Sequence, residues 1–134
     1  MSKINEFLTE AGVFFLATAD GDQPKLRPLG AHMEVDGLEY FGVGSYKDVY
    51  QQMQKNPRVE IAACKANGHW LRYTGVAVFD DESMAARMIA GSPTLQNLYN
   101  ETTGRKLAVF HLEEATAVEI AVMGPGKDLL GADQ

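Results

Sequence analysis

The chain alternates strand-length apolar runs with short turn signals, and this pattern restricts the folds that it can adopt. Residues 13–19 form a continuous apolar run, and residues 25–35 alternate between apolar and polar side chains. A continuous run of this length is typical of a buried strand, whereas alternation is typical of a strand with one exposed face. Asp36-Gly37, a favoured hairpin turn, separates the second run from a further strand-length segment, residues 38–43. The first part of the chain therefore predicts a buried strand followed by an antiparallel pair.

The same pattern continues in the second half. The predicted strands there cover residues 58–64, 69–79, 107–112 and 115–123. Asn67-Gly68 is the turn of a second hairpin, and Gly75 marks a bend within the longer strand. Glu113-Glu114 is interpreted as the turn between the last two strands.

Helical patterns interrupt the strands. They occur at residues 4–11, between Ser45 and Asn56, from about residue 80 to residue 90, and at residues 94–100. Gly12 has the position of a left-handed helix cap. Ser45 is predicted to cap the second helix, with Asp48 as the reciprocal partner. Ser92 and Pro93 have the chemistry of an N-cap and a first helical position.

These elements predict a mainly β fold: an antiparallel barrel of six or seven strands with flanking helices. A parallel α/β fold fits poorly, because strands and helices do not alternate. A length of 134 residues, 46% of them hydrophobic, supports one domain over residues 1–134. Since a small barrel fills its interior with side chains, a large ligand is expected outside it, against a second subunit.

Composition excludes several classes of partner. A net charge of -6 and a pI near 5.0 do not fit the broad basic surface that nucleic acid or an anionic membrane requires. No apolar run approaches the roughly 20 residues of a membrane span, and the first residues lack a signal-peptide core, so a soluble cytoplasmic protein is expected. Cys64, the single cysteine, lies in an apolar strand pattern that predicts a buried, inert thiol. The histidines lie far apart without metal-ligand spacing, so no metal is expected.

Two basic residues lie where backbone groups are left free. Lys47 follows the glycine-containing strand end and is predicted in the first turn of the next helix, where N–H groups and the helix dipole favour an anion. A hairpin would bring Arg27 close to Lys47. Pro28 cannot donate to a sheet ladder, so it predicts an edge or a bulge beside Arg27. The pattern indicates a site for a phosphorylated cofactor, with ordinary surface cations as the alternative.

Four segments, taken in order, resemble the FMN-binding split β-barrel family, which includes pyridoxamine 5'-phosphate oxidase and shorter relatives such as nitroimidazole-reductase-like proteins. The segments are Arg27-Pro28-Leu29, Tyr40-Phe41-Gly42 leading to Lys47, Asn56-Pro57-Arg58-Val59 and Arg72-Tyr73-Thr74-Gly75. The resemblance implies a split antiparallel barrel that forms a homodimer, with FMN in a groove between the two chains.

The resemblance also implies roles for particular residues. Arg27 and Lys47 would hold the FMN phosphate, and Arg72 would approach from the other subunit. The full set of cofactor-binding residues expected is Arg27, Pro28, Leu29, Gly42, Val43, Ser45, Lys47, Trp70 and Arg72. For Trp70 a core or interface position is the alternative to flavin stacking. For Arg72 the alternative to contact with the flavin is an ion pair with Glu60 or Glu39.

The function expected from the resemblance is an FMN-dependent oxidoreductase. Electrons would pass from a reduced nicotinamide or similar donor to a small-molecule acceptor, with the cofactor supplying the difficult chemistry. No catalytic residue is assigned. Oxidation of pyridoxamine phosphate is not expected, because the oxidases end in an Arg-containing motif that is missing here. The alternatives are a flavin carrier or redox sensor without turnover, and a split barrel that binds haem or a deazaflavin.

Overall fold

A curled antiparallel sheet forms the centre of the molecule. The computed structural model describes residues 2–122 and 125–130. Its strands are β1 (Phe14–Asp20), β2 (Gln23–Leu29), β3 (His32–Val35), β4 (Leu38–Gly44), β5 (Arg58–Cys64), β6 (Trp70–Phe79), β7 (Leu107–Ile120) and β8 (Gly126–Asp128). The order is β2-β1-β5-β6-β7-β4-β3, and β8 pairs with β7 outside that path. The prediction of a mainly β antiparallel split barrel is confirmed.

Four helices flank the sheet in the described part of the chain. They are α1 (Lys3–Ala11), α2 (Asp48–Lys55), α3 (Glu82–Ala90) and α4 (Pro93–Leu98). Gly12 ends α1 with φ 86°, and the Ser92 hydroxyl caps α4 by accepting from the Leu95 N–H, both as predicted. None of the four has the length and apolar character that a membrane-crossing helix needs.

The prediction of one strand over residues 25–35 is wrong. The chain leaves β2 after Leu29 and enters β3 at His32. β2 pairs with β1 at one edge of the sheet, whereas β3 pairs with β4 at the other edge. The apolar alternation continues across the break, so it does not reveal the change of partner. The expectation for Pro28 is confirmed, because β2 is an edge strand.

The predicted turn at Glu113-Glu114 is also wrong, because β7 runs through both residues. Glu114 adopts φ 50°, and the register between β6 and β7 shifts opposite Gly75. A single left-handed residue kinks the strand without reversing it, which makes this a bulge. The predicted bend at Gly75 is confirmed, and it coincides with the feature that was interpreted as a turn. The predicted strand end at residue 123 lies outside the described residues.

The barrel interior is filled with aromatic side chains. Phe14, Phe41 and Phe110 are fully buried, and the Phe41 ring lies 5.3 Å from the Phe14 ring and 5.5 Å from the Phe110 ring between centroids. Phe7 and Leu8 of α1 pack against the same cluster. A barrel interior that is filled by buried side chains in this way leaves no room for a large ligand. A cofactor-sized molecule must therefore bind outside the barrel.

Candidate functional site

A single open cavity of about 1030 Å³ brings together most of the residues that the sequence predicted. It lies where the ends of β2 and β4 meet the start of α2, with α3 and α4 on the other side. Of the predicted residues, those that line it are Arg27, Pro28, Leu29, Gly42, Val43 and Lys47. The two basic residues, 20 positions apart in the chain, thus border one cavity.

Lys47 lies at the N-terminus of α2. It occupies the N-cap position, and its side chain makes no capping hydrogen bond. The predicted cap, Ser45, is not one, because its hydroxyl donates to the Lys106 carbonyl (3.1 Å) instead. The Lys47 side chain is exposed, with Nζ 5.9 Å from the centre of the Tyr46 ring. Within the described residues it forms no ion pair, so its charge is available to an anion.

Arg27 is held from β1 and α2. One guanidinium nitrogen, Nη1, donates to the Thr18 hydroxyl (2.7 Å) and to the Leu16 carbonyl (3.1 Å). The other, Nη2, donates to Oε1 of Gln52 (2.8 Å). Desolvation by burial lowers the pKa of Arg27, which remains a cation because arginine titrates far above neutral pH. Unlike Lys47, this cation has a fixed orientation.

Two glycines of β4 allow close packing beside the cavity. A Cβ atom at Gly42 would lie 2.8 Å from Sδ of Met88, and one at Gly44 would lie 2.6 Å from Cε1 of Tyr46. Both distances are shorter than side chains tolerate, so each position requires glycine while its neighbour stays in place. The cavity combines the cations Arg27 and Lys47 near the start of α2, and Arg87 on α3, with apolar atoms along β4 and α3. That donor set fits a phosphate ester attached to a flat apolar ring system.

The wall formed by α3 and α4 was not predicted from the sequence. It contributes Arg87, Met88, Thr94, Leu95 and Tyr99 to the cavity. The helix break at residues 91–93 was a usable signal, because it turns α4 back against α3. Met88 packs against Leu107 and Val109, with 5% of its surface exposed.

Tyr46 and Tyr99 close one corner of this cavity. The guanidinium carbon of Arg105 lies 4.8 Å from the centre of the Tyr46 ring, within the range of a cation–π contact. Burial raises the pKa of Tyr99, and the adjacent Tyr46 adds to the rise, while Arg105 opposes it. The Tyr99 hydroxyl therefore stays protonated at neutral pH and can donate a hydrogen bond.

His32 lines the cavity and forms a hydrogen bond with a buried carboxylate. Its Nδ1 lies 2.7 Å from Oε2 of Glu39, which also accepts from the Asn5 amide (2.9 Å). Glu39 is 2% exposed, and its second oxygen has no partner among the described residues. Because a carboxylate oxygen can only accept, this contact assigns the donor role to Nδ1 of His32. This network ties α1 to β3 and β4.

Trp70 and Arg72 lie outside this cavity, on the outer face of β6. Nε of Arg72 is 3.0 Å from Oε1 of Glu60, and its guanidinium lies 4.9 Å from the Trp70 ring. Of the alternatives for Arg72, the ion pair with Glu60 is therefore present. Within one chain, neither residue lines the cavity that Arg27 and Lys47 border.

The prediction of a buried Cys64 is wrong, because its thiol is exposed. Burial alternates along β5, and position 64 falls on the outward side. An apolar strand pattern alone does not show which face of the strand the barrel covers.

The fold and the cavity together define a split-barrel protein with a phosphate-compatible groove beside its edge strand. A family model described as pyridoxamine 5'-phosphate oxidase matches residues 1–123. The chain therefore belongs to the pyridoxamine 5'-phosphate oxidase-like family, and the resemblance drawn from the four segments is confirmed. The comparison with curated proteins found no match.

Solved structures agree with this assignment. A NimC/NimA family protein from Clostridium acetobutylicum is 34% identical, with a TM-score of 0.85 over 95% of this chain and 89% of that chain. A pyridoxamine 5'-phosphate oxidase-related, FMN-binding protein from Nostoc punctiforme is 18% identical, with a TM-score of 0.56 over 86% and 78%. A haem-binding protein from Mycobacterium smegmatis is 14% identical, with a TM-score of 0.70 over 91% and 54%. The last two share the fold.

Proposed function

We propose that this protein binds FMN in the cavity between β2, β4 and α2 and acts as an oxidoreductase on a small molecule. The observation that carries the proposal is that Arg27 and Lys47 border one cavity whose remaining wall is largely apolar. A phosphate with a charge near -2 gains charge-assisted hydrogen bonds from both cations. The Nostoc relative described as FMN-binding supports the same ligand.

The chain's own residues bind and orient the ligand in this proposal. Arg27 and Lys47 hold the phosphate, and the backbone around Leu29, Gly42 and Val43 lies along the ring system. When bound, FMN supplies hydride chemistry between a reduced nicotinamide or similar donor and the acceptor. The hydroxyls of Tyr46 and Tyr99 are placed to donate hydrogen bonds at the far corner.

We further propose a homodimer that covers the outer apolar face of the sheet. This face consists of Phe15 and Ala17 of β1, Leu26 and Pro28 of β2, Ala62 and Cys64 of β5, and Trp70 of β6. Cross-strand register puts these side chains on one face, together with the Glu60–Arg72 ion pair of β5 and β6, and Leu26 and Phe15 are 68% and 43% exposed. Contiguous apolar patches on a sheet mark interaction surfaces. A second copy here would also bring its Trp70 and Arg72 into the assembly.

A cytoplasmic location is part of this proposal. Cys64 is a free thiol that is exposed in the single chain, and such a thiol stays reduced in the cytoplasm and is prone to oxidation in secreted environments.

The direct test is FMN titration of Lys47→Ala, followed by flavin fluorescence. We expect at least a roughly tenfold loss of affinity, equivalent to about 1.4 kcal/mol. Because the Lys47 side chain makes no cap hydrogen bond, its removal leaves the start of α2 intact. Lys3→Ala, in the first turn of α1, is the control, since it removes the same charge at an exposed position that lines neither this cavity nor the smaller one that Arg27 also borders. Equal affinities for Lys47→Ala and the wild type would remove Lys47 from the site.

Two further measurements separate the alternatives. Steady-state oxidation of NADH or NADPH by FMN-loaded protein, with an acceptor present, supports an enzyme; its absence supports a flavin carrier or redox sensor. The absorption spectrum of the purified protein distinguishes flavin from haem, the ligand of the Mycobacterium neighbour.

A further inference from the structure

Thr18, Gln52 and Arg27 form a closed ring of hydrogen bonds. The Thr18 hydroxyl accepts from Nη1 of Arg27 and uses its single proton to donate to Oε1 of Gln52 (2.6 Å). The same Oε1 accepts from Nη2 of Arg27. Every member of the ring is therefore oriented by the other two. Thr18 is 4% exposed, so water does not compete for its hydroxyl.

The ring orients the guanidinium without neutralising it. Its acceptors are a hydroxyl, an amide oxygen and the Leu16 carbonyl, and none of them is charged. Arg27 forms no ion pair with any described residue. A partly buried cation without a counter-charge bears a desolvation cost that an arriving anion relieves. Desolvation also lowers the pKa of Arg27, which is consistent with an uncompensated charge.

We propose that Thr18 and Gln52 are positioning residues that fix Arg27 in the cavity wall and make the site selective for a phosphorylated ligand. The inference rests on the proposed function and deepens it. A free arginine side chain loses rotamer entropy when it binds an anion, whereas Arg27 is already ordered. Gln52 matters because it is an amide: a carboxylate there would accept the same hydrogen bond and cancel the charge.

The sharpest test is Gln52→Glu, which keeps the shape of the side chain and pairs Arg27 with a carboxylate. We expect FMN affinity to fall by about tenfold or more, and riboflavin affinity, which involves no phosphate, to change by less than about twofold. Fluorescence titrations with FMN and with riboflavin measure both. Gln54→Glu is the matched control: it adds the same charge to the exposed side of α2, and position 54 lines neither this cavity nor the smaller one beside it.

Thr18 supplies an independent test. Thr18→Val removes the hydroxyl from the ring and is expected to reduce the preference for FMN over riboflavin, whereas Thr18→Ser keeps the hydroxyl and should retain the preference. Thermal melting of each variant establishes that it folds. If the valine variant fails to fold, Gln52→Glu decides the question, because position 52 is only partly buried.

The outcomes separate this inference from the proposed function. The positioning role is supported if the wild type binds FMN more tightly than riboflavin and if the ratio of the two affinities falls in Gln52→Glu but not in Gln54→Glu. Equal preference in all variants overturns the positioning role and leaves FMN binding in place. A parallel loss of FMN and riboflavin affinity indicates a merely structural role and overturns the inference. A wild type that binds neither flavin overturns both proposals.

Discussion

His111 lies between two carboxylates from different parts of the chain. Its Nδ1 is 2.9 Å from Oδ2 of Asp80, and its Nε2 is 2.9 Å from Oε2 of Glu113. Burial lowers the pKa of His111, but the hydrogen bonds and charges of Asp80 and Glu113 together outweigh it, and the net shift is upward. With an acceptor on each ring nitrogen, the imidazolium form uses both of its protons.

The raised pKa of His111 predicts a pH-dependent stability. The folded state binds the proton more tightly than the unfolded chain, so the contribution is complete below the unfolded pKa of about 6.5 and is lost as the pH rises through the folded pKa. We expect the free energy of unfolding of the wild type, minus that of His111→Gln, to be larger at about pH 5.5 than at about pH 8.5. Urea denaturation at both values measures it.

Glu113→Gln is the partner variant for this prediction. It removes one of the two charges that raise the pKa of His111 and should reduce the difference between the two pH values. A stability difference between the wild type and His111→Gln that is equal at the two pH values, or larger at the higher pH, would contradict the raised pKa of His111.

At the scale of elements, the pairing of β6 with β7 depends on a glycine. A Cβ at Gly75 would lie 2.9 Å from the Glu113 carbonyl oxygen and 3.1 Å from Cβ of Leu112. Neither atom is the end of a flexible side chain, so the backbone of the bulge would have to move. This bulge lets the long β7 pair with β6 on both sides of Gly75 despite the register shift.

Gly75→Ala is therefore expected to lower the free energy of unfolding by about 1–3 kcal/mol, the usual cost of forcing an extra carbon into a packed interior. Gly30→Ala is the control, because a Cβ there meets no heavy atom within 4 Å. The control should stay within about 0.5 kcal/mol of the wild type in chemical denaturation. Equal stabilities for the two variants would mean that the bulge adapts without cost.

At the scale of the whole molecule, the outer apolar face lies on the part of the sheet formed by β2, β1, β5 and β6, while the cavity opens beside the ends of β2 and β4. Edge strand β2 belongs to both, since Pro28 lines the cavity and Leu26 belongs to the apolar face. Association through this face would therefore place a second chain next to the ligand. Dimerisation and FMN binding are expected to be coupled.

Phe15→Arg tests this coupling by placing a charge in the centre of the apolar face. We expect size-exclusion chromatography with light scattering to show a dimer for the wild type and a monomer for the variant, with weaker FMN binding in the variant. Leu98→Arg, on α4, is the control, because its side chain is 42% exposed outside this face. A wild type that is monomeric with FMN bound would contradict the model of a site shared by two chains.

The elements of this fold were predictable where they depend on local chemistry. Asp36 and Gly37 both adopt positive φ, as their hairpin turn requires, and the Ser92 cap follows from neighbouring residues alone. The prediction failed where the structure of a segment depends on which strand it pairs with. Residues 25–35 alternate without interruption, yet β2 and β3 pair with different strands at opposite edges. Local pattern fixes extended structure, but long-range register selects its partner.

The candidate site likewise has features that the sequence predicts and features that only the fold decides. The positions of Arg27 and Lys47 beside strand and helix ends, and their family motifs, are properties of the sequence. Thr18 and Gln52, 34 residues apart, meet at Arg27 only because α2 packs against β1, and the wall of α3 and α4 closes the cavity for a similar reason. Sequence by itself determined most of the extended segments, the Asp36-Gly37 turn and the charges. The tertiary structure decided which strands pair and which side chains orient those charges, because such contacts exist only after distant segments have packed together.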